Sequence, residues 1–160
     1  MGFYNDSLVP GLVTCLCGTK PISKQREKIV PHALGAVLEI GFGSGHNLIH
    51  YDSHKVDSVV GIDPCLKSWR LAASKVEKVN FSVDFIKGSA EKIPIGDACF
   101  DTVLMTYSLC TIPDPQRALL EAKRLLKANG KLLFCEHGLS PHYDTHIWQN
   151  RINCSHIKRK

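Results

Sequence analysis

A glycine-rich segment, VLEIGFGSGHNL at residues 37–48, sets the strongest limit on the fold of this chain. It begins with the apolar run Ala36–Ile40, which is typical of a buried strand. Three glycines follow at alternate positions, and glycine permits backbone angles and close approaches that a Cβ would block. The residues from His46 to Tyr51 then resemble the start of a helix. A strand, a glycine turn and a helix N-terminus in this order predict a nucleotide cradle in an α/β fold.

The spacing of the glycines indicates which cofactor this cradle would hold. Glu39 stands two residues before the first glycine, so the pattern is E-x-G-x-G-x-G. The dinucleotide fingerprint G-x-G-x-x-G would need glycine where this chain has His46, which disfavours a nicotinamide-dependent oxidoreductase but keeps it as an alternative. A carboxylate beneath the loop can hold water or an ammonium group. A tight strand-to-helix turn without a ligand is the other interpretation.

Alternating strand and helix patterns continue along the rest of the chain. Helical patterns occupy residues 22–30, 64–79 and 115–130. Strand patterns occupy Ala36–Ile40, Ser58–Ile62, Phe81–Ile86, Phe100–Thr106 and Lys131–Glu136. This alternation predicts a parallel sheet with right-handed crossovers and a ligand at the carboxyl ends of its strands.

Asp63 ends the second predicted strand and is the first polar candidate outside the glycine segment. It lies 18 residues after Gly45, at a distance typical of a carboxylate that accepts both ribose hydroxyls. The alternative is that Asp63 caps a helix whose first residue is Pro64. One carboxylate can serve both purposes.

Composition excludes several classes of protein. The 160 residues are enough for one domain, and 44% of them are hydrophobic. Three of the net five positive charges come from residues 158–160, and no basic run is interleaved with aromatic residues, so we expect no nucleic-acid partner. Seven cysteines without a C-x-x-C pair are typical of reduced thiols in a cytoplasmic protein. We predict no membrane span and no metal site.

Four segments in register resemble a known family. They are EIGFGSG at 39–45, Asp63, GSAEKIPIGDACFDTV at 88–103 and LLEAKRLLKANGKLLFCEHG at 119–138. Together they are similar to the type 11 group of class I S-adenosylmethionine (SAM) methyltransferases, which includes the ubiquinone and menaquinone biosynthesis methyltransferases. The opening residues and the segment 135–153 resemble a narrower set, similar to the methyltransferase-like thiol methyltransferases.

The resemblance implies a Rossmann-like, three-layer α/β/α fold with a mostly parallel, twisted sheet. It implies a single domain, with residues 1–35 as an N-terminal helical segment or lid and residues 36–160 as the SAM-binding part. The function implied is transfer of a methyl group from SAM to a small, lipophilic acceptor such as a thiol, a quinol or phenol, or a lipid. The apolar opening segment, residues 2–18, would pack on the domain, cover the pocket or touch a membrane surface.

The resemblance also assigns the site residues. Gly41, Gly43 and Gly45 would line the methionine part of SAM, Glu39 would support the loop and the ammonium group, and Asp63 would hold the ribose. Pro64 and Ser68 would lie beside the adenine, Ser89 and Ala90 would meet its edge, and Thr106 and Tyr107 would face the cofactor or the acceptor. His137 and Tyr107 are the candidate bases. The alternatives are a strand-end hydrogen bond for His137 and a place in the pocket wall for Tyr107, and Glu136 is a candidate to orient His137.

Two departures from the family pattern affect these expectations. Ser89 stands where the wider group has an acidic residue, which weakens the contact to the adenine amino group. The family sheet ends in an antiparallel strand pair, but no strand pattern follows Glu136. We therefore expect five strands, with the fifth, KLLFCEH, as an open edge. Because this edge is open, we expect either a shortened gene product or a homo-oligomer joined at the edge. The alternative function is a non-catalytic remnant that binds SAM.

Overall fold

A computed structural model describes residues 19–136 and Gly138. The helices are α1 (Lys20–Ile29), α2 (Leu66–Val76) and α3 (Pro115–Leu125). The strands are β1 (Gly35–Ile40), β2 (Val56–Asp63), β3 (Ser82–Lys87), β4 (Phe100–Thr106) and β5 (Leu126–Cys135). Short 3-10 turns occupy Val30–His32, Leu48–His50 and Leu109–Thr111. No helix in this part of the chain is both long enough and apolar enough to cross a membrane.

The five strands form one sheet in the order β3-β2-β1-β4-β5, and every neighbouring pair is parallel. The chain moves outward from β1 through β2 to β3 and then returns to the other side of β1 with β4. The connections therefore diverge between β1 and β4, and ligands of such sheets bind at this switch point. The predicted five-stranded parallel sheet is confirmed.

Both faces of the sheet are buried, which explains why its central strands are almost wholly apolar. Leu38 and Val103 point to the face that α3 covers, where Ala118, Ala122 and Leu125 complete the cluster. Val37, Val59 and Leu104 point to the opposite face, with Ala72 of α2 and Val30 at the end of α1. The result is the three-layer α/β/α arrangement that the sequence predicts.

Helix α3 is shorter and strand β5 is longer than the sequence pattern suggests. The Asp114 side chain accepts a hydrogen bond from the Arg117 N–H, and Pro115 takes the first helical position, as is favourable at a helix start. The predicted helical end at Gly130 is wrong, because Leu126 already has extended backbone angles and pairs with Phe100. A Cβ on Gly130 would lie 2.8 Å from the Leu126 side chain, so this glycine permits a tight return of the chain.

The segment after the glycine loop is not an α-helix. Residues 43–47 form turns, and a single 3-10 turn, Leu48–His50, follows them. The side chains of Asn47 and Tyr51 both turn inward to the carboxylate of Glu39. These buried contacts hold the segment against β1.

Candidate functional site

A cavity of about 350 Å³ opens at the carboxyl ends of β1 and β2, beside the switch point of the sheet. This volume is within the range of roughly 300–1,000 Å³ that is typical of small-molecule sites. Its walls come from the ends of β1 and β2 and from the segments that follow β3 and β4. The lining residues are Ile40, Gly41, Ile62, Asp63, Pro64, Gly88, Ser89, Ala90, Glu91, Ser108, Thr111, Ile112 and Pro113.

Asp63 is the acidic residue at the end of β2, and both of its carboxylate oxygens are engaged by backbone. Oδ2 accepts a hydrogen bond from the Gly43 N–H at 2.9 Å, and Oδ1 accepts one from the Cys65 N–H at 2.8 Å. The expectation of a helix that begins at Pro64 is wrong, since α2 begins at Leu66 and Cys65 occupies its N-cap position without a side-chain cap. Each carboxylate oxygen can accept a second hydrogen bond, so Asp63 can still bind a pair of hydroxyls in the cavity.

The course of the glycine loop depends on a close approach between Gly41 and Ser108. Its φ is +78°, and a Cβ there would lie 2.4 Å from the Cβ of Ser108, so no other residue fits without displacement. The N–H groups of Gly41 and Phe42 both donate to the carbonyl of Ile62 at the end of β2. The loop therefore lies against the ends of β2 and β4, where it forms one wall of the cavity.

Phe42 anchors the same loop from the other side of the sheet. Its ring lies over Gly61 of β2, where a Cβ would come within 2.4 Å of it. Trp69 of α2 and Phe85 of β3 pack around it, with ring centroids at 5.6 and 6.3 Å. Lys75 adds a hydrogen bond of 2.7 Å to the Ser44 carbonyl. These contacts fix the loop before any ligand binds.

Glu39 lies beneath the loop and is only 1% exposed. Its carboxyl group accepts hydrogen bonds from Asn47 Nδ2 at 2.9 Å and from the Tyr51 hydroxyl at 2.7 Å. Burial raises the pKa of Glu39 to about 7, although both hydrogen bonds oppose this shift. The carboxyl group thus supports the loop from inside the core and does not line the cavity.

A buried arginine, Arg26 of α1, links the end of β4 to the turn that follows the glycine loop, and sequence patterns gave no sign of it. Its Nη1 donates to Thr106 Oγ1 at 2.6 Å and to Asn47 Oδ1 at 2.7 Å. The guanidinium also lies 5.1 Å from the centre of the Tyr107 ring. Thr106 and Tyr107 therefore face α1, and neither is among the residues that line the cavity. Burial is the main reason that the pKa of Tyr107 is raised to about 12.

The structure brings most of the residues predicted for the nucleoside part to one place. Pro64, Ser89 and Ala90 line the cavity together with Asp63. Ser68 is separated from them, because its position on α2 buries it, with 7% exposure, away from the cavity lining. Glu91 reaches the same wall, and its Oε1 accepts a hydrogen bond from the Asp114 N–H.

The segment after β4 supplies residues that sequence reasoning missed. Ser108, Ile112 and Pro113 line the cavity, and their only signal in the sequence is their position after a buried strand. Oε1 of Glu136 holds this segment by accepting hydrogen bonds from the N–H groups of Ser108 and Leu109. His137 lies outside the described residues, so its place relative to Glu136 and the cavity stays a prediction.

The lining of the cavity therefore includes the carboxylate of Asp63 at the end of β2, the apolar side chains of Ile62, Ala90 and Ile112, and Gly41 of the glycine loop. A carboxylate can accept hydrogen bonds from two neighbouring hydroxyls, and an apolar slot can hold a flat base. Backbone without a side chain, as at Gly41, lets the extended tail of a ligand lie close to the loop. This donor set fits an adenosine derivative with an extended tail. Within residues 19–136, no group of three or more His, Cys, Asp or Glu side chains could hold a metal ion.

Comparisons with known proteins agree with this geometry. The family model described as a methyltransferase domain matches residues 38–134. A demethylmenaquinone methyltransferase of Renibacterium salmoninarum is 32% identical over 120 residues, which cover 71% of this chain and 48% of that protein. A thiol S-methyltransferase of Mus musculus is 31% identical over 108 residues, which cover 66% of this chain and 44% of that protein. The chain thus spans about half the length of these relatives.

Solved structures show the same fold. The crystal structure of YcgJ from Bacillus subtilis matches with a TM-score of 0.65 and 27% identity, over 81% of this chain and 56% of that one. A SAM-dependent methyltransferase from Methanosarcina mazei matches with a TM-score of 0.60 and 28% identity, over 71% and 57% of the two chains. Since the family model matches more than half of its residues, this chain belongs to the type 11 methyltransferase-domain family, as its motifs predict.

Proposed function

We propose that this chain forms the cofactor-binding part of a SAM-dependent methyltransferase that acts on a small, lipophilic acceptor. The observation that carries the proposal is Asp63, which projects into the cavity while backbone N–H groups of the glycine loop and the α2 start hold it in place. A carboxylate fixed in this way is preorganised to accept two ribose hydroxyls.

The chain's own residues would bind and orient the cofactor. Asp63 accepts hydrogen bonds from the ribose, Pro64 and Ala90 contact the adenine, and Ser89 meets its edge. The backbone at Gly41, Gly43 and Gly45 lies along the methionine part, and Glu39 supports the loop from below. When bound, SAM supplies an electrophilic methyl group on a sulfonium. Holding an acceptor in line with that group accounts for most of the catalysis that such a site needs.

The acceptor class rests on the relatives and on the apolar opening of the chain. Three relatives are named for their substrates. One is named for demethylmenaquinone, one for thiols, and one for phosphatidylethanolamine, which is a lipid. We propose a thiol, a quinol or phenol, or a lipid as acceptor. We further propose that residues 1–35 form a lid over the domain at 36–160. The apolar residues 2–18 of this lid, which fall outside the described range, would contact a membrane surface and bring the acceptor from it. The membrane contact is tested by sedimenting the protein with lipid vesicles. If the protein does not sediment with the vesicles, the membrane contact is removed from the proposal.

A general base would raise the rate by about 10²–10⁴-fold if the acceptor must lose a proton. Tyr107 is poorly suited to this role because its pKa is raised to about 12 and its hydroxyl accepts a hydrogen bond from Cys135 Sγ. We therefore propose Tyr107 as part of the acceptor-pocket wall and His137 as the base. Turnover should survive Tyr107→Phe and fall in His137→Gln. The reverse pattern would exchange the two roles.

Calorimetric titration with S-adenosylhomocysteine, the demethylated product, tests the cofactor site. Wild type should bind at micromolar concentration, and Asp63→Asn should weaken binding strongly while keeping an acceptor for the Gly43 N–H. Asp57→Asn is the matched control, because Asp57 is exposed at the opposite end of the same strand. Binding of NAD without S-adenosylhomocysteine would instead favour the oxidoreductase. Binding without methyl transfer to thiols, quinols or phenols would favour a non-catalytic remnant.

We also propose that two copies associate in a cytoplasmic protein through the edge of β5. This strand is at the edge of the sheet within the described residues, and Phe134 on it is 61% exposed. Exposed apolar edge strands readily pair with further chains. Light scattering should show a dimer that Phe134→Lys dissociates, and a wild-type monomer at high concentration would remove this part of the proposal.

A further inference from the structure

The helices that cover one face of the sheet carry an excess of exposed positive charge. Helix α1 and helix α2 lie on the same face, where Val30 and Ala72 belong to one buried cluster. Within residues 20–29 and 66–78, the exposed acidic residues are Glu27 and Glu77. The exposed cations of the same stretches are Lys20, Lys24, Lys28, Lys67, Arg70 and Lys78. This layer of the fold is therefore basic.

The layer on the other face of the sheet is electrically balanced. It is formed by α3 and by residues 88–98, whose Ile93 packs in the same cluster as Ala118 of α3. Arg124 on this layer forms ion pairs with Asp97 and Glu121. Its cations Lys92, Arg117, Lys123 and Arg124 are matched in number by Glu91, Asp97, Asp114 and Glu121. The charge excess thus belongs to one face of the described part of the chain.

Two large apolar side chains are exposed on the basic layer. Ile49 is 68% exposed, and Leu71 of α2 is 53% exposed. Ile49 lies between the two helices, because its 3-10 turn contacts α2 and places His50 Nε2 at 3.1 Å from the hydroxyl oxygen of Ser23 on α1. A single exposed apolar residue is ordinary. Apolar residues among cations on one helical surface are instead typical of surfaces that lie on a membrane.

We propose that the layer formed by α1, the turn Leu48–His50 and α2 docks on a membrane surface that carries anionic lipid headgroups. The cations would bind the headgroups, while Ile49 and Leu71 would enter the boundary between headgroups and acyl chains. Docking would keep a lipophilic acceptor close to the protein. The inference goes beyond the proposed function, since this contact needs neither the cofactor nor the acceptor. It also differs from a contact through residues 2–18, which contain no Lys or Arg.

The charge contribution can be measured by sedimenting the full chain with lipid vesicles. Wild type should bind vesicles of phosphatidylcholine and phosphatidylserine more tightly than vesicles of phosphatidylcholine alone, and added salt should weaken this binding. Each cation near an anionic membrane contributes about fivefold, so combining Lys24→Gln with Arg70→Gln should weaken binding by about 25-fold. The matched control combines Arg117→Gln with Lys123→Gln, two exposed cations of α3, and it should bind as wild type does.

The apolar contribution has its own pair of variants. Ile49→Ser should weaken binding to the mixed vesicles by about tenfold or more, because the isoleucine would no longer enter the membrane. Leu120→Ser is the control, since Leu120 is 66% exposed on α3 of the balanced layer. All of these substitutions are at exposed positions, so the variants should fold. Calorimetric titration with S-adenosylhomocysteine should give the wild-type affinity for each, since none of the residues lines the cavity.

Several results would overturn the docking surface without touching the proposed function. Equal binding of wild type to both kinds of vesicle would refute it, as would equal losses in the α3 pair and in the pair Lys24→Gln and Arg70→Gln. If a short RNA binds this layer more tightly than the mixed vesicles do, and Ile49→Ser changes neither affinity, the partner is a nucleic acid and the membrane is refuted. Failure of wild type to bind S-adenosylhomocysteine would instead refute the proposed function and leave the vesicle result standing.

Discussion

Replacing Gly41 by alanine should destabilise the protein more than the same change anywhere else in the glycine loop. Two costs add at this position. An L-residue at a φ of +78° costs about 1–2 kcal/mol. The new Cβ would also lie 2.4 Å from the Cβ of Ser108, against an ordinary carbon–carbon contact of about 3.5–4.0 Å. Such overpacking typically costs about 1–3 kcal/mol. The expected loss is about 2–5 kcal/mol from a total stability of about 5–15 kcal/mol.

Ser108 cannot move aside easily, which is why the clash should persist. Its N–H donates to Glu136 at 2.9 Å and its hydroxyl approaches the same oxygen at 3.4 Å. Gly43→Ala provides the control. The φ of Gly43 is also positive, at +54°, but the nearest atom to a new Cβ is the Gly41 carbonyl oxygen at 3.9 Å. The control shares the backbone cost and any entropy lost by the unfolded chain, so the difference between the variants isolates the clash.

Urea unfolding followed by far-UV circular dichroism would measure both variants, with equal m-values as the condition for comparing them. Gly41→Ala should be less stable than Gly43→Ala by about 1–3 kcal/mol. Adding Ser108→Gly to Gly41→Ala removes the opposing Cβ and leaves the Ser108 Cα at 3.7 Å, so most of that difference should return. If the two alanine variants are equally stable, or if Ser108→Gly restores nothing, the close approach at Gly41 is not real.

Two further predictions concern buried side chains. Glu39 has a pKa of about 7 in the folded protein and near 4.5 in the unfolded chain, so the folded state holds its proton longer and the free energy of unfolding falls as pH rises from about 4.5 to about 7. Comparing Glu39→Gln with wild type by urea unfolding across this range should show a shallower decline in the variant, and parallel curves would contradict the buried carboxyl. Leu125→Ala, at 0% exposure, should cost about 2–5 kcal/mol, whereas Leu120→Ala on the same helix, at 66% exposure, should change stability by less than about 0.5 kcal/mol. Similar losses in thermal or urea unfolding would refute the placement of α3.

Local patterns were enough to predict the sheet and to point to the segments at its carboxyl edge. The strand from Phe100 to Thr106 has its predicted limits, because an apolar run bounded by polar turns leaves few alternatives. Asp63 lies beside the glycine loop, since parallel strands place their carboxyl ends at one edge. In both cases the information lies within a few residues of chain.

Contacts between distant residues were beyond reach of the sequence. Arg26 and Thr106 are 80 residues apart, and a basic helical pattern does not show which of its cations turns inward. The prediction that α3 ends at Gly130 is wrong for a related reason. Leu126 continues the apolar period of the helix, but its pairing with Phe100 on β4 outweighs that local preference. Only the tertiary structure decides between two local conformations that a sequence permits equally.

The short turn after the glycine loop takes its conformation from hydrogen bonds to the buried Glu39, which also support the candidate site. Between Ile40 and Val56 the chain must form the loop and then the turn closed by hydrogen bonds from Lys55 and Val56 to the Asp52 carbonyl. The few residues left are too short for a stable helix on their own. Hydrogen bonds from Asn47 and Tyr51 to Glu39 replace helical ones, so the same side chains that satisfy the buried carboxyl also fix the loop. A change at Tyr51 should therefore act on cofactor affinity through the loop, although the residue does not line the cavity.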